Sequence, residues 1–339
     1  MTLFGHTFMT STLEPQRQFD PSLQSEDIAF APSDLIDCKA CSRKNAPDRA
    51  ACIYCGRDLE NAQATKLSFR KLESWEPGFS VVARRLQIEQ TALNAIASML
   101  GIEKERLLEI AGARAPLPLI RVESLSMAEV LLARLADHGA GCLVVADSDL
   151  NAEKPPIRLK RIDLGVDEIA FIDFNTDDVY RVPPGDITLI VTGRLITSRT
   201  DVIEKRRRGG KSDMLDETST SADESVADIY TKDDPVGFRI RLSGFDFSDL
   251  GSERQLIAEQ NFRLLIDRLA TIASNSEVVD YIPVRHFLDD VWEPESRKDA
   301  LGRKSAGLGK KGFGSVATTN NVVQFTKFSR MHWHSLSSI

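Results

Sequence analysis

Four of the five cysteines of this 339-residue chain lie within eighteen residues, in the stretch CKACSRKNAPDRAACIYCG. They form two Cys-x-x-Cys pairs, Cys38 with Cys41 and Cys52 with Cys55, separated by ten residues. In a Cys-x-x-Cys turn both sulfur atoms can approach one ion. Two such turns placed face to face supply four thiolates at the corners of a tetrahedron. The spacing therefore predicts a metal site built from sulfur alone.

Zinc suits this ligand set, because it is redox-inert and accepts thiolate sulfur at about 2.3 Å in tetrahedral geometry. Four thiolates leave no open coordination position. We therefore expect one structural Zn²⁺, bound by Cys38, Cys41, Cys52 and Cys55, and no catalytic metal.

Residues 38–60 resemble the short four-cysteine zinc ribbons found in many bacterial proteins. Gly56, directly after Cys55, fits the resemblance, because a knuckle turn often needs a residue that tolerates a positive φ. Ser42 stands at the corresponding place in the first knuckle and departs from that pattern. The resemblance implies a metal but no particular task, because such ribbons serve nucleic-acid machinery, protein adaptors and simple structural stapling.

Three other chemistries use paired cysteines. Two disulfides need an oxidising compartment, and a thioredoxin-like dithiol needs a single Cys-x-x-Cys beside a βαβ pattern. A rubredoxin-like iron site uses similar ligands in a larger fold with more aromatic cover.

The fifth cysteine, Cys142, sits in the apolar run GAGCLVVAD, where a lone cysteine acts as a small core residue.

Composition narrows the compartment and the partners. The chain has 43 Lys and Arg against 50 Asp and Glu, a net charge of −7, which argues against a chain-wide nucleic-acid surface. Its first residues lack the basic and apolar regions of a signal peptide, and no stretch approaches eighteen uninterrupted apolar residues. Five cysteines are too few for a disulfide scaffold. These features predict a cytoplasmic protein without a membrane span.

The pattern along the chain predicts an α+β protein: an N-terminal zinc ribbon, a small βαβ (ferredoxin-like) module and a larger strand-rich mixed domain with one long helix. The predicted segments are a disordered tail at 1–33, the ribbon at 34–62, a helical segment plus the βαβ module at 80–150, a mixed α+β domain at 155–294 with a mobile charged loop at 204–228, a flexible Gly/Lys loop at 295–317, and a C-terminal docking segment at 318–339.

Within the predicted module, helical spacing of apolar residues over 84–100 stops at Gly101, and a second short helix covers 104–110. Strands over 116–122 and 142–147 enclose a helix that opens with a capping box of Ser126 and Glu129 and closes on Gly139. Strand, helix and strand with short joints predict a βαβ unit, a parallel pair with a right-handed crossover, in a ferredoxin-like or split βαβ arrangement.

The pattern of the mixed domain predicts four antiparallel strands between 157 and 199, followed by another strand at Phe238. Its long helix opens with a capping box of Ser252 and Gln255. The apolar residues at helical spacing predict the buried stripe, which is Leu256, Ala258, Phe262, Leu265, Ile266 and Leu269.

Several other stretches suggest chemistry, but each has a stronger structural interpretation. RRRGGKS looks like the end of a phosphate-binding loop, but Lys205 stands where that motif needs glycine. GLGKKGFG could cradle an anion, yet no helix start follows it, which favours a flexible basic loop. Asp246 and Asp249 could pair as acid and base, but Asp249 and Ser252 lie where a helix start needs acceptors, which favours helix capping. His332 and His334, in the sequence HWH, could share a metal ion, but an exposed C-terminal tail is the favoured interpretation.

These observations favour a non-catalytic zinc-binding adaptor or regulatory protein whose ribbon is a structural and protein-interaction module. The first alternative is nucleic-acid binding by the ribbon, which carries the basic residues Lys39, Arg43, Lys44, Arg49 and Arg57 and a stacking ring in Tyr54. Its expected affinity is weak, with a Kd no tighter than about 10⁻⁶ M at physiological salt. The second alternative is an enzyme whose site in the mixed domain has no local sequence signature. The sequence does not indicate an oligomeric state.

Overall fold

The computed structural model of the chain describes residues 35–46, 49, 52–57, 59, 69–86, 90–113, 115–206, 212–305 and 311–337. The protein divides into two compact units, residues 1–65 and 66–339, and each is described by itself. The segment predicted as a disordered tail, residues 1–33, lies outside the described residues. The architecture is a mixed α+β fold that is rich in strands, as the sequence predicts.

The first unit contains one very short antiparallel ladder and the two cysteine turns. Strand β1 (Ile36–Asp37) pairs with β2 (Lys44–Asn45). Its only described cluster of buried apolar residues consists of Cys38, Cys52 and Leu59, with Cys41 packed against it. Since so little apolar surface is removed from water, burial alone contributes little stability to this unit.

The second unit begins with a three-stranded sheet and its helices. The sheet order is β4-β3-β5, and the central strand runs antiparallel to both neighbours. The elements in chain order are β3 (Phe79–Arg85), α1 (Gln90–Leu100), α2 (Lys104–Gly112), β4 (Leu117–Val122), α3 (Leu125–Asp137), β5 (Gly141–Ala146) and α4 (Asp147–Leu150).

Strands β4 and β5 both run antiparallel to β3 and are therefore parallel to each other, as predicted, but β3 lies between them, which is the split βαβ arrangement. A ferredoxin-like module has four strands, whereas this sheet has three among the described residues. Val81 and Val82 explain why β3 escaped prediction. Both are fully buried, so the strand is covered on both faces and lacks the alternation that distinguishes a strand from a buried helix.

Glycines end two helices of this region as predicted, but one helix start is displaced. Gly101 follows α1 with φ +68°, and Gly139 follows α3 with φ +77°, the left-handed conformation in which glycine has no steric penalty. The predicted capping box at Ser126 is wrong, because the cap of α3 lies earlier in the chain, at Ser124. That residue is extended, and its Oγ accepts a hydrogen bond from the backbone N–H of Met127 at 3.3 Å.

A nine-stranded sheet forms the larger part of the second unit. Along its main path the strand order is β13-β14-β9-β10-β11-β6-β7-β8, and β12 pairs in parallel with β9. Its strands are β6 (Ile157–Leu164), β7 (Ile169–Asp173), β8 (Val179–Val182), β9 (Ile187–Arg206), β10 (Ser212–Thr231), β11 (Asp234–Arg241), β12 (Glu277–Asp280), β13 (Glu295–Ser305) and β14 (Lys311–Asn320). The antiparallel meander predicted from residue 157 forms over β6, β7 and β8, but β9 pairs elsewhere.

Two long hairpins lie side by side where the sequence predicts loops. We call residues 196–206, 212–224, 295–305 and 311–320 the arm. Here β13 pairs with β14, β14 with β9, and β9 with β10, all antiparallel. The described parts of the predicted loops 204–228 and 295–317 are therefore mostly strand. Most arm side chains on β10 and β13 are exposed, so the arm shows no apolar alternation, and backbone pairing carries it with polar pairs such as Thr200 and Ser219.

The base of the large sheet separates two hydrophobic cores. Leu189 and Val191 of β9 face one core, whereas Ile190 faces the other. Helix α6 (Val322–Ser337) packs in the first core and α5 (Ala258–Ile272) in the second. The alternation along β9 follows directly from the two-residue period of a strand.

Helix α5 begins later than predicted. Asn261 is buried, and its side-chain amide accepts from the backbone N–H of Gln255 at 2.6 Å and donates to its carbonyl at 2.9 Å. This clamp holds Gln255 in the preceding loop, so no capping box with Ser252 forms. Leu256 and Ala258 are exposed rather than buried. The other four predicted stripe residues are buried on the helix.

The C-terminal helix corrects the interpretation of HWH as a surface tail. Phe325, Phe328 and Met331 of α6 are fully buried, and so is His332, whose ring lies 4.5 Å from that of Phe328. His334 is partly exposed, and its Nε2 lies 3.1 Å from the carbonyl oxygen of Asp149. Among the described residues, no helix combines the length and the apolar character needed to cross a membrane.

The buried histidine predicts a specific acid sensitivity. Burial lowers the pKa of His332 from 6.5 to about 3, because the charged ring would lose its hydration. The unfolded state then binds a proton that the folded state excludes, so stability falls as the pH drops below about 6.5 and levels off near pH 3. Between pH 7.5 and 4.5 we expect the wild type to lose about 2–3 kcal/mol more than His332→Leu.

Urea unfolding of both proteins across this pH range measures that difference. His334→Leu is the matched control, since it removes a histidine of the same helix that is not buried. If the free energy of unfolding falls by the same amount with pH in the wild type and in His332→Leu, the His332 ring is charged inside the fold and the prediction is wrong.

Candidate metal centre

The four predicted ligands meet at one point. Their sulfur atoms all lie within 4.8 Å of one another. The Sγ atoms of Cys38 and Cys55 are 3.6 Å apart, and those of Cys41 and Cys52 are 3.5 Å apart. A disulfide would need about 2.05 Å, whereas the edge of a tetrahedron with 2.3 Å metal–sulfur bonds is about 3.8 Å. The arrangement therefore suits a shared metal ion and contains no disulfide.

The two knuckles repeat the same backbone hydrogen bonds. The N–H of Cys38 donates to the carbonyl of Arg43 at 3.0 Å, and that of Cys52 donates to Arg57 at 2.7 Å. Four residues after each first cysteine, the N–H of Ser42 or Gly56 donates back to the cysteine carbonyl. This equivalence holds each pair of sulfur atoms on one side of its turn.

Ser42 adopts the same left-handed conformation as Gly56. Its φ is +55°, against +70° for the glycine. A residue with a Cβ is strained there by about 1–2 kcal/mol, so the departure from the ribbon pattern at Ser42 costs stability without changing the shape of the turn.

Asn45 is a residue of the site that the sequence did not single out. It is only 2 % exposed, and its Nδ2 donates to the carbonyl of Arg43 at 2.8 Å and lies 3.4 Å from the sulfur of Cys52. Its Oδ1 accepts from the N–H of Ile53 at 3.0 Å. The side chain thus joins the first knuckle to the second and orients a ligand. Nothing in its sequence context distinguishes it from an ordinary turn asparagine.

The thiols respond unequally to this environment. Backbone N–H groups of Ala40 and Cys41 lower the pKa of Cys38. Burial raises the pKa of Cys52, but the N–H groups of Tyr54 and Cys55 outweigh it and bring that pKa to about 6. The N–H of Arg43 lowers the pKa of Cys41, yet burial and the neighbouring sulfur atoms raise it to about 12. Neighbouring thiolates repel one another, and a bound cation relieves that repulsion.

Access to the four sulfur atoms is uneven. Cys38 and Cys52 are buried, Cys41 is half-buried and Cys55 is exposed. Within the described parts of the chain, this is the only group of three or more Cys, His, Asp or Glu side chains placed to share a metal ion. The donor set is four soft sulfur ligands, which suits zinc or iron and not magnesium or calcium.

The five basic residues of the cysteine segment (38–60) are all exposed. They are Lys39, Arg43, Lys44, Arg49 and Arg57. The guanidinium of Arg43 lies 4.7 Å from the centre of the Tyr54 ring. One face of that ring is therefore already covered by a cation, which reduces the stacking surface that the sequence offered to a base.

Both aspartates of the predicted pair accept hydrogen bonds from backbone N–H groups. Asp246 accepts from the N–H of Ser248 at 2.9 Å, and Asp249 accepts from the N–H of Leu164 in β6 at 3.2 Å. The predicted helix capping by Asp249 and Ser252 is wrong, because α5 begins at Ala258 and no side chain caps it.

Cys142 belongs to the body of the second unit. It lies half-buried in β5 and packs against the first core. Burial raises the pKa of its thiol to about 12, which leaves it protonated and unreactive at neutral pH.

A cavity of about 360 Å³ in the second unit bears on the enzyme alternative. Its three lining cations lie beside carboxylates, Lys71 beside Glu293 and both Arg121 and Lys327 beside Asp147. The residues that line it include no histidine and no cysteine. The lining of this cavity does not by itself identify a reaction.

Comparison of the chain with protein-family models, with curated proteins and with solved structures finds no match in any of the three. The geometry of its own residues is thus the basis for a functional conclusion, and that geometry supports a four-sulfur metal centre.

Proposed function

We propose that residues 38–60 form a zinc ribbon with one structural Zn²⁺ and that the protein is a non-catalytic adaptor or regulatory protein. The observation that carries this is the convergence of four thiols within 4.8 Å on two equivalent, hydrogen-bonded knuckles. Zinc is favoured over iron because the site has little aromatic cover and because zinc needs only a closed tetrahedron. Thiolate ligands require a reducing compartment, and the cytoplasm provides one.

A protein-binding role is supported by the exposed surface of the second knuckle. Ile53 is 53 % exposed and Tyr54 is 51 % exposed, and Arg43 lies beside them. Tyrosine and arginine are enriched at the centres of protein interfaces. Because the metal fixes the knuckle, it also fixes this patch.

Affinity capture from the native cell tests the adaptor role. The wild type is compared with the double variant Ile53→Ser and Tyr54→Ser, which keeps all four ligands, and with Cys142→Ser as the matched control. We expect protein partners that survive nuclease treatment, persist with Cys142→Ser and are lost with the double variant. Partners that disappear on nuclease treatment, or that the double variant retains, contradict the role.

Nucleic-acid binding by the ribbon is the second candidate, favoured by its five exposed cations. If these cations contact phosphates, the affinity should fall steeply as the salt concentration rises. On single strands, each tenfold rise in salt should lower the logarithm of the binding constant by about 0.7 for every phosphate contacted. The covered face of Tyr54 and the net charge of −7 weigh against tight binding. Submicromolar binding at physiological salt, lost when Arg43, Lys44 and Arg49 are reversed to Glu, would replace the adaptor role with this one.

Asn45 provides a test of the site that spares its ligands. We expect Asn45→Ala to weaken zinc binding about 10–100-fold, because the amide orients Cys52 and ties the knuckles together. Competition with a chromophoric chelator measures the affinity. Lys44→Ala, the neighbouring exposed residue of β2, is the control and should bind zinc as the wild type does. Equal affinity in Asn45→Ala would show that the amide is not part of the site.

A further inference from the structure

The end of the arm brings together two basic stretches that are far apart in the sequence. Strand β14 runs antiparallel to β9 with Phe313 opposite Glu204, and β13 runs beside β14 with Arg303 opposite Phe313. The β9–β10 hairpin and the β13–β14 hairpin therefore end at the same place. Considered separately, each of the two basic sequences has the composition of a solvent-exposed loop.

This end is the positive part of a negative chain. Four exposed cations have described side chains there: Lys205, Arg303, Lys304 and Lys311. The described residues of 203–214 and 303–313 contain five Lys and Arg and two acidic residues, a net charge of +3. Since the whole chain carries −7, all its other residues together carry −10. Such separation attracts a polyanion to one end and repels it from the remainder.

The ring of Phe313 shares one face of the sheet with two of these cations. Phe313 is 50 % exposed, and the guanidinium of Arg303 lies 6.0 Å from its ring centre. Residues opposite each other in an antiparallel pair share a face, as do residues two apart in one strand, so Arg303, Lys311 and the acidic Glu204 share the face of Phe313, whereas Lys205 and Lys304 lie on the other face. Met214, opposite Glu204 and 61 % exposed, continues the row.

We propose that this basic end, defined as Lys205, Arg303, Lys304, Lys311 and Phe313, binds single-stranded nucleic acid. Arg303 and Lys311 contact phosphates and an unpaired base stacks on Phe313, the combination by which sheet surfaces hold single strands, while Lys205 and Lys304 add positive charge on the other face. Paired bases in a duplex do not offer their faces for stacking. The inference uses no ribbon residue and goes beyond the adaptor role. The failure of one proposal would therefore not affect the other.

Fluorescence anisotropy with labelled oligo-dT and oligo-U of about twenty nucleotides tests the proposal on the full-length, zinc-loaded chain. At about 50 mM salt we expect micromolar binding with a log–log salt slope of about −1.4, from the contacts of Arg303 and Lys311 at about 0.7 each. Reversal of Arg303, Lys304 and Lys311 to Glu should weaken binding at least about tenfold and flatten the slope. The matched control reverses three exposed arginines elsewhere, Arg181, Arg254 and Arg263, and should bind as the wild type does.

The stacking contact has its own matched pair. Phe174 is also an exposed phenylalanine with an arginine over its ring, since Arg158 lies 3.9 Å from its centre. We expect Phe313→Ala to lose about fivefold or more in affinity, whereas Phe174→Ala keeps it. Far-UV circular dichroism checks that each variant is folded.

Four outcomes overturn the proposal. They are equal weakening by the two triple reversals, unchanged binding in Phe313→Ala, and loss of binding on reversal of Arg43, Lys44 and Arg49 while the arm variant still binds. The fourth is capture by vesicles of phosphatidylserine and phosphatidylcholine without oligonucleotide binding, which would make the arm end a membrane contact.

Discussion

Cys52→Ser is expected to unfold residues 38–60 while the second unit keeps its structure. The described ribbon buries almost no apolar surface beyond Leu59 and its own cysteines. Its folding free energy must then come mainly from the metal, about 10–16 kcal/mol apparent for structural zinc in comparable peptides. Loss of one thiolate opens the tetrahedron and removes most of that stabilisation.

Two-dimensional NMR spectra of the ¹⁵N-labelled protein measure this residue by residue. Signals from the ribbon should collapse to random-coil shifts in Cys52→Ser, and the zinc content should fall from one per chain. Cys142→Ser removes the one cysteine outside the site. This variant should retain both the dispersed signals of residues 38–60 and one zinc per chain. A loss of far-UV signal across the whole protein in Cys52→Ser would instead show that the ribbon organises the complete fold.

Arg239→Met is expected to destabilise the second unit by about 3–5 kcal/mol. Arg239 and Asp228 form a buried two-point ion pair, with Nε–Oδ1 at 2.6 Å and Nη2–Oδ2 at 2.7 Å. The same guanidinium donates to Thr326 of α6 at 3.0 Å and lies 5.2 Å from the ring of Phe325. Its removal leaves the fully buried Asp228 carboxylate without its cation and loosens α6 from the sheet.

Guanidinium chloride unfolding provides the measurement for this pair. Arg199→Met is the control, because its ion pair with Asp201 is largely exposed on the arm and such pairs contribute about 0–1 kcal/mol. The double change Asp228→Leu with Arg239→Met should recover part of the loss, since no unpaired charge is then buried. A cost for Arg239→Met no larger than that of the control would mean that Asp228 is solvated in the folded state.

The convergence of the four cysteines could be predicted from the sequence because the geometry of each turn is local. A Cys-x-x-Cys turn fixes two sulfur atoms within four residues, so only the meeting of two turns depends on the wider fold. Asn45 could not be predicted in this way. Its contacts to Cys52 and Ile53 arise from the approach of the second knuckle, and asparagine is common in turns that bind no metal.

The strands of the large sheet were likewise predictable only where a local sequence pattern marks them. Strands β6, β7 and β8 were predictable because alternation and short turns mark them, and α5 because four of its apolar residues repeat at helical spacing. The arm was not, because its strands carry mainly charged and hydroxyl side chains, and the buried positions that alternate along β14 are two glycines and Val316, which give no apolar pattern. Pairing of β9 with β14 joins segments far apart in sequence, which no local pattern reports.

The most direct test of the four-sulfur zinc centre is metal analysis of protein purified without chelator, combined with X-ray absorption at the zinc edge. We predict one zinc per chain surrounded by four sulfur atoms at about 2.3 Å. Protein that contains no zinc, or that contains iron in its place, or a spectrum with nitrogen or oxygen bound directly to the metal, would contradict the account.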